Sequence, residues 1–244
     1  MIWSRPENRA HAGKLLVIGG SAQGFAKPAQ AYEAARKAGA GTVHAVLPDV
    51  LRSMLPRGFM EADFLPSTPS GSLAREALGG LLNESDWADA VLLAGDLSRN
   101  SETAILLESF ATKYTAALTL TCDAVDYALS APRIALGRDN TLLVLSFAQL
   151  QKLGQAAQAT TAFTYAMDFL HLIEALHSFS AEHHLTLITK RDNTIFVAVD
   201  GQVTTTQLAE EQQIWRLTTA AAASVWWLQN PSKPLEALTT ALVA

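Results

Sequence analysis

Residues 14–48 read KLLVIGGSAQGFAKPAQAYEAARKAGAGTVHAVLP, and the order of residue types in this stretch decides the fold. Leu15, Leu16, Val17 and Ile18 form an apolar, β-branched run of the length of a buried strand. The run breaks at Gly19, Gly20 and Ser21, where the chain turns sharply and bares backbone N–H groups. A helical pattern follows over 29–38, with Pro28 placed as a first helical residue, and Gly39 stops it. Residues 42–47 then read as a second strand. Strand, glycine turn, helix, glycine stop and strand make a βαβ unit, with a right-handed crossover expected. The Gly19 turn falls at the carboxyl end of its strand, where open parallel sheets bind ligands.

The full 244 residues suffice for one large α/β domain or two small ones. We expect one domain over 1–244, with a polar lead-in over 1–13 and Trp3 packing back on the body. Hydrophobic residues make up 49% and charged ones 17%, enough for a large core and too apolar for wholesale disorder. The net charge of −5 is spread without blocks, so neither a nucleic-acid nor an anionic-membrane surface is expected. The first thirteen residues carry charge and no apolar centre, unlike a signal peptide, and no apolar run reaches the length of a membrane span. Cys122 stands alone and cannot form an internal disulfide, which makes a reducing, cytoplasmic location the expectation.

Further along, residues 49–55 read as a short helix, 57–71 as a Pro-, Ser- and Gly-rich loop, and 72–82 as a helix. Residues 90–95 repeat the opening device, an apolar strand running into glycine. Ser101 followed by Glu102 suits the N-cap of a helix reaching about Lys113. Residues 117–121 and 142–145 are buried-strand candidates, the second followed by a helix from about Ser146. Helix is expected over 159–179, where Phe163, Met167, Leu170, Ile173 and Leu176 lie near helical spacing. Strands over 185–189, 194–198 and 203–207 follow, the last two joined through Asp200-Gly201, a favoured hairpin pair. Helices over 218–228 and 234–243 end the chain. The expected architecture is a three-layer α/β/α fold with a mostly parallel central sheet and an antiparallel edge.

Generic nucleotide motifs fail. Glycines at 19, 20 and 24 miss the G-x-G-x-x-G spacing, and Phe25 and Ala26 stand where a P-loop needs lysine and a hydroxyl. Read alone, the Gly19 turn is a tight strand-to-helix connection. His171 and His177 are six apart and His183-His184 adjacent, so no pair stacks at the i, i+4 spacing of helical ligands and no metal centre is expected. Cys122, at a buried strand end, reads as an inert packing thiol. Trp226 and Trp227 cannot both face one core from a helix, which makes that helix an interface candidate.

These pieces, in this order, resemble the ribokinase-like, carbohydrate-kinase-like ADP- or ATP-dependent NAD(P)H-hydrate dehydratases. Those enzymes form the C-terminal part of bifunctional nicotinamide nucleotide repair enzymes. The family's G-x-V-L-V-I-G-G-S and R-x-G-A-G are similar to Gly13 through Ser21 and Lys37 through Gly41, at equal spacing. Its A-D-A-x-x-I-G-P-G-L-G-R resembles Ala88 through Arg99, and its L-D-A-D-A-L-N resembles Leu120 through Asp126. Its V-L-K-G-x-x-T-x-I is similar to Ile188 through Phe196. The resemblance implies a ribokinase-like fold, ADP or ATP with Mg²⁺ as cofactor, NAD(P) as ligand, and a homo-oligomer such as a tetramer. It implies nucleotide or substrate contacts at Gly20, Ser21, Gly95, Asp123 and Lys190.

Departures gather where the family does its chemistry. Its A-T-A-G-S-G-D supplies a glycine anion hole and a catalytic aspartate, and the matching text is Thr218 through Ser224. Ala221, Ala222 and Ala223 thus take the anion-hole positions, and Ser224 takes that of the base. Added Cβ atoms crowd a phosphate turn, and a serine without a partner base does not abstract protons as a carboxylate does. Leu145 through Gln149 replaces the family's P-H-P-G-E, the glycine-rich G-P-G-L-G is altered around Gly95 and Ser98, and Thr121 replaces the first aspartate of L-D-A-D. The expectation is a divergent, catalytically impaired homologue that keeps the scaffold and weak nucleotide binding; the alternative is an active dehydratase. Bland readings stand beside the functional ones: Asp123 and Ser21 as helix caps, Lys190 as a surface lysine, Ser224 as a buried helix serine bonded to a backbone carbonyl.

Overall fold

The computed structural model describes residues 6, 8–56, 58–209 and 215–244; Trp3 lies outside them. β1 (Lys14–Gly19), α1 (Ala26–Lys37) and β2 (Thr42–Pro48) reproduce the opening βαβ unit. The chain continues through β3 (Ala62–Leu65), α2 (Leu78–Trp87), β4 (Ala90–Gly95), α3 (Ser101–Lys113) and β5 (Ala117–Thr121). Next come α4 (Asp123–Ser130), α5 (Arg133–Leu136), β6 (Thr141–Ser146), α6 (Phe147–Ala156) and α7 (Phe169–Glu182). β7 (Thr186–Arg191), β8 (Thr194–Val199), β9 (Gln202–Gln207), α8 (Arg216–Gln229) and α9 (Pro234–Ala241) complete it.

The nine strands form one sheet in the order β3-β2-β1-β4-β5-β6-β7-β8-β9. β1 to β7 are mutually parallel, while β8 runs antiparallel to β7 and β9 antiparallel to β8. Central strands such as β4 are buried at every residue because helices cover both faces. Leu16 and Ile18 of β1 pack with α2 to α7, and Leu15 and Val17 pack with α1, α8 and α9. Alternation along one strand therefore feeds two cores.

Several expectations change. A four-residue edge strand, β3, lies inside the stretch read as loop; its half-buried ADFL is too short to show periodicity between Pro and Ser residues. Helix α7 begins at Phe169 rather than 159, because the Asp168 carboxylate accepts the His171 N–H and starts it there. Phe163 reaches the core from the preceding loop by packing edge-on against Phe179, at 5.3 Å between ring centres. Asn100, not Ser101, caps α3, accepting the N–H of Glu102 at 2.8 Å. Helix α1 starts at Ala26, three residues before the expected pattern, and residues 49–55 shorten to a 3₁₀ turn over Asp49–Leu51.

Trp226 and Trp227 are both buried, at 2% and 7% exposure, which removes the interface reading of that helix. α8 packs against α1, α9 and strands β4, β5 and β6, so every residue from Ala223 to Trp227 is buried. Ala220, Ala221 and Ala223 are fully buried, and their small side chains let α8 approach its neighbours.

Candidate functional site

Chain order reverses between β1 and β4, which are neighbours in the sheet although β2 and β3 intervene in sequence. At such a switch point the segments leaving the two strands diverge and open a crevice. The Gly20 N–H donates to the Gly95 carbonyl across it at 3.0 Å. A Cβ on Gly19 would stand 2.5 Å from the Gly95 carbonyl oxygen, and one on Gly95 (φ +102°) would stand 2.4 Å from Asp123 Oδ1. Only glycine permits this approach.

Past β4 the backbone is left-handed at Asp96 (φ 58°) and Ser98 (φ 63°), positions that match glycines in G-P-G-L-G. The turn holds these left-handed positions with side chains in place, at about 1 kcal/mol of strain each. Asp123 holds it: its carboxylate accepts the Asp96 N–H at 3.0 Å and the Leu97 N–H at 2.8 Å. The Tyr127 hydroxyl adds a bond to the Ser98 carbonyl at 2.7 Å. Asp123 is therefore not an N-cap; it is the first residue of α4, and its side chain turns back to the β4 loop.

Lys27 closes the arrangement. Its Nζ lies 2.9 Å from Asp96 Oδ1 and 3.2 Å from Asp123 Oδ1. Its backbone N–H donates to Asp96 Oδ2 at 2.8 Å, so Asp96 satisfies one of the orphan donors of α1, whose N-cap Phe25 supplies no side-chain bond. Burial pulls the Lys27 pKa down most, but the hydrogen bond to Asp96 and the charges of Asp123 and Asp96 together outweigh it, and the net shift is upward from 10.5.

A second cluster hangs on Gln149, which is buried. Its Nε2 donates to the Cys122 carbonyl and to Asp126 Oδ1, both at 2.9 Å. Its Oε1 accepts the Ser146 N–H at 3.1 Å, half of a capping box that starts α6, and Arg216 Nη1 at 2.9 Å. One neutral amide thus ties α4, α6 and the first turn of α8. Cys122 holds φ 54° and ψ −129°, and burial raises its pKa against the opposing charge of Arg216, so it stays a thiol.

Three adjoining clefts of about 610, 570 and 380 Å³ run along this edge and share Asp123 and Asp126. Lys27, Arg99, Lys152 and Arg216 line one or more of them. Four cations thus face the three carboxylates of Asp96, Asp123 and Asp126.

Of the residues expected from the sequence, Gly20, Ser21, Gly95 and Asp123 meet at the crevice. Ser21 does not cap α1; it closes a turn with Gly24 before the helix and is buried. Lys190 lies on the same sheet edge, half-buried in β7 and in register with Ser146, and does not line these clefts.

Ala221, Ala222, Ala223 and Ser224 are a correction. They occupy the sixth to ninth positions of α8, where backbone N–H groups are already bonded within the helix. An anion hole needs the unpaired donors of a first turn, which here belong to Arg216, Leu217 and Thr218. Ser224 donates to the Ala220 carbonyl at 2.7 Å and lies 2.8 Å from Thr119 Oγ1 in the middle of β5. Ser224 therefore lies far inside the layer, where it neither meets the crevice nor stands in for a base. Asp96, Asp126 and Gln149 lie inside stretches matched to the family but differ from its residues there, and Lys27 and Arg216 lie outside them, so sequence assigns none of the five a role.

No protein-family model matches the chain. It is 30% identical over 195 residues to the bifunctional NAD(P)H-hydrate repair enzyme Nnr of Moorella thermoacetica, covering 78% of this chain and 35% of that protein. The chain thus spans about a third of the length of this curated relative. Among solved structures, a ribokinase-like superfamily protein from Enterococcus faecalis superposes with a TM-score of 0.73 at 15% identity, over 98% of this chain and 79% of that one. The ADP/ATP-dependent NAD(P)H-hydrate dehydratase of Bacillus subtilis, co-crystallized with ATP and Mg²⁺, gives 0.64 at 11% identity, over 97% and 79%. The chain therefore has a ribokinase-like fold. Its sequence is similar to the NAD(P)H-hydrate repair enzyme over about a third of that protein's length.

Proposed function

We propose that this chain is a single ribokinase-like domain that binds the phosphates of a nucleotide weakly and has lost efficient dehydratase turnover. The observation that carries this is the ion triad of Lys27, Asp96 and Asp123 at the switch point. Both carboxylates are committed to one ammonium and to backbone N–H groups, so neither is placed to take a proton from substrate. Mg²⁺ requires oxygen ligands in near-octahedral order, and the Lys27 ammonium fills the space between the two carboxylates that would seat it. These residues do not fit a protein-held Mg²⁺ at this pair, and no step is assigned to one. Lys152, Arg99 and Arg216 are instead suited to phosphate oxygens. A homo-oligomer and a cytoplasmic location belong to the same proposal and rest on the resemblance; among the described residues no helix is long and apolar enough to cross a membrane.

A second reading, an active dehydratase, is favoured by one group. Asp126 is exposed, borders all three clefts and, among the described residues, has only Oδ1 engaged, by Gln149. Thermal unfolding with ADP or ATP, each with and without Mg²⁺, together with an assay on hydrated NADH, separates the readings. The proposal expects a rise in Tm with either nucleotide that does not depend on Mg²⁺, disappears in Arg216→Met, and comes without turnover. Turnover abolished by Asp126→Asn would establish the second reading. No rise at millimolar nucleotide would remove nucleotide binding altogether.

A further inference from the structure

Away from the crevice, the sheet register brings together three metal-ligating side chains that sequence spacing keeps apart. His44 lies in β2, Asp63 in the edge strand β3 and Glu84 in α2. In β2 and β3, Val46 pairs with Asp63, so Asp63 shares the sheet face of Val46 and of His44 two residues earlier. That face is the one α2 covers. His44 Nε2 and Asp63 Oδ2 are 2.8 Å apart, and one donor atom from each of the three residues lies within 4.8 Å of the others.

The charge balance is unusual. Asp63 meets only His44, and Glu84, though half-buried, makes no hydrogen bond or ion pair among the described residues. The nearby cation, Lys14, stands over the Trp87 ring at 5.4 Å from its centre and not on either carboxylate. Trp87 also packs edge-on against the His44 ring at 5.9 Å, which fixes the imidazole on its apolar side. Two carboxylates crowded around an imidazole without a cation repel each other, and a divalent ion offsets that repulsion.

We propose that His44, Asp63 and Glu84 bind a first-row divalent cation of the zinc class, which fastens the edge strand β3 to β2 and α2. Imidazole nitrogen and carboxylate oxygen are both zinc donors, and with three protein ligands solvent fills the fourth position. His44 and Asp63 stand at hydrogen-bond distance and the Glu84 donor lies within 4.8 Å of both, so small side-chain adjustments would bring the three donors onto one ion. The site is structural: His44 lies four residues before the carboxyl end of β2, roughly 13 Å along the strand.

The test is thermal unfolding of the EDTA-treated protein with Zn²⁺, paired with visible d–d absorption on Co²⁺ titration. The expected result is a Tm rise of about 5–10 °C once free Zn²⁺ exceeds Kd about a hundredfold. Tetrahedral Co²⁺ absorption without a thiolate band is expected alongside it. Glu84→Gln and Asp63→Asn, both on accessible positions, should keep the metal-free Tm and lose both responses. Equal responses in the wild type and both variants would assign the metal to exposed pairs such as His171–Asp168 and His184–Asp200 and overturn the proposal. No response in the wild type would overturn it too.

Discussion

On the β1–β4 side of the crevice the charged groups spend their charge on one another, whereas on the β6–α8 side they hang on a neutral amide. Lys27 bridges Asp96 and Asp123 within 3.2 Å. Across the clefts, Arg216 bonds to Gln149, and neither Arg216 nor Lys152 makes an ion pair among the described residues. The first side is electrostatically closed and mechanically taut, with Gly95, Asp96 and Ser98 all at positive φ. The second leaves Arg216 and Lys152 without such a pair among the described residues. Of the residues expected from the resemblance, Gly20, Gly95 and Asp123 stand where the backbone shape is demanding. Glycine turns and buried strands are needed for folding whether or not a proton is ever moved, so the proposed loss of turnover would leave them in place.

The largest effect is expected from writing the family's motif back into α8. Ala221→Gly, Ala223→Gly and Ser224→Asp together put two glycines and a carboxylate into a buried helix interior, with Thr119 as the new neighbour of the charge. Two interior glycines cost about 2 kcal/mol and an unpaired buried carboxylate about 3 more, so Tm should fall by roughly 10–20 °C in a melting experiment. Under the proposed function, this variant should show no dehydratase turnover. A folded triple variant with turnover would break the contrast between the two sides.

Next is Gly95→Ala, which needs a left-handed alanine whose Cβ meets Asp123 Oδ1. A loss of about 2–4 kcal/mol by denaturant unfolding is expected, because strain and displacement of Asp123 add. A loss below about 0.5 kcal/mol, within the range of an ordinary surface change, would mean that the crevice is not taut.

Lys27→Met should be the mildest of the three, at about 1 kcal/mol near neutral pH, since the side chain is 38% exposed and solvent screens the pairs. Its pH dependence sharpens the comparison. The folded-state pKa of Lys27 is raised above 10.5, so its stabilisation is fully present below that pH and is lost as pH climbs through the folded value. Wild type and variant melts should therefore converge in strongly alkaline buffer. Tyr114, pushed up to about 12 by burial, lowers the stability of both in the same range and cancels in the difference. A gap that stays constant with pH would show that Lys27 acts by packing alone.

Much of the fold was legible before any coordinate. β1 and β4 are apolar runs ended by glycine, a local signature that survives because both faces of a central parallel strand are buried. Gly20, Gly95 and Asp123 were legible through their strand ends. Register within α8 was not: a matched motif placed Ala221 through Ser224 at a phosphate turn, while their small apolar text also suits a helix buried on most sides, and packing decided for the latter.

The sequence alone determined the alternation of strands and helices, the βαβ opening and the glycine turns, because each depends on side-chain periodicity and φ preference within a few residues. Tertiary structure decided which distant groups meet. Lys27 finds Asp96 across 69 residues and Asp123 across 96, and His44 finds Asp63 through pairing to a strand too short to announce itself. Strand order and register set those encounters, and the free energy that selects them is the burial of whole helix and sheet faces, a sum over the molecule that no short stretch contains.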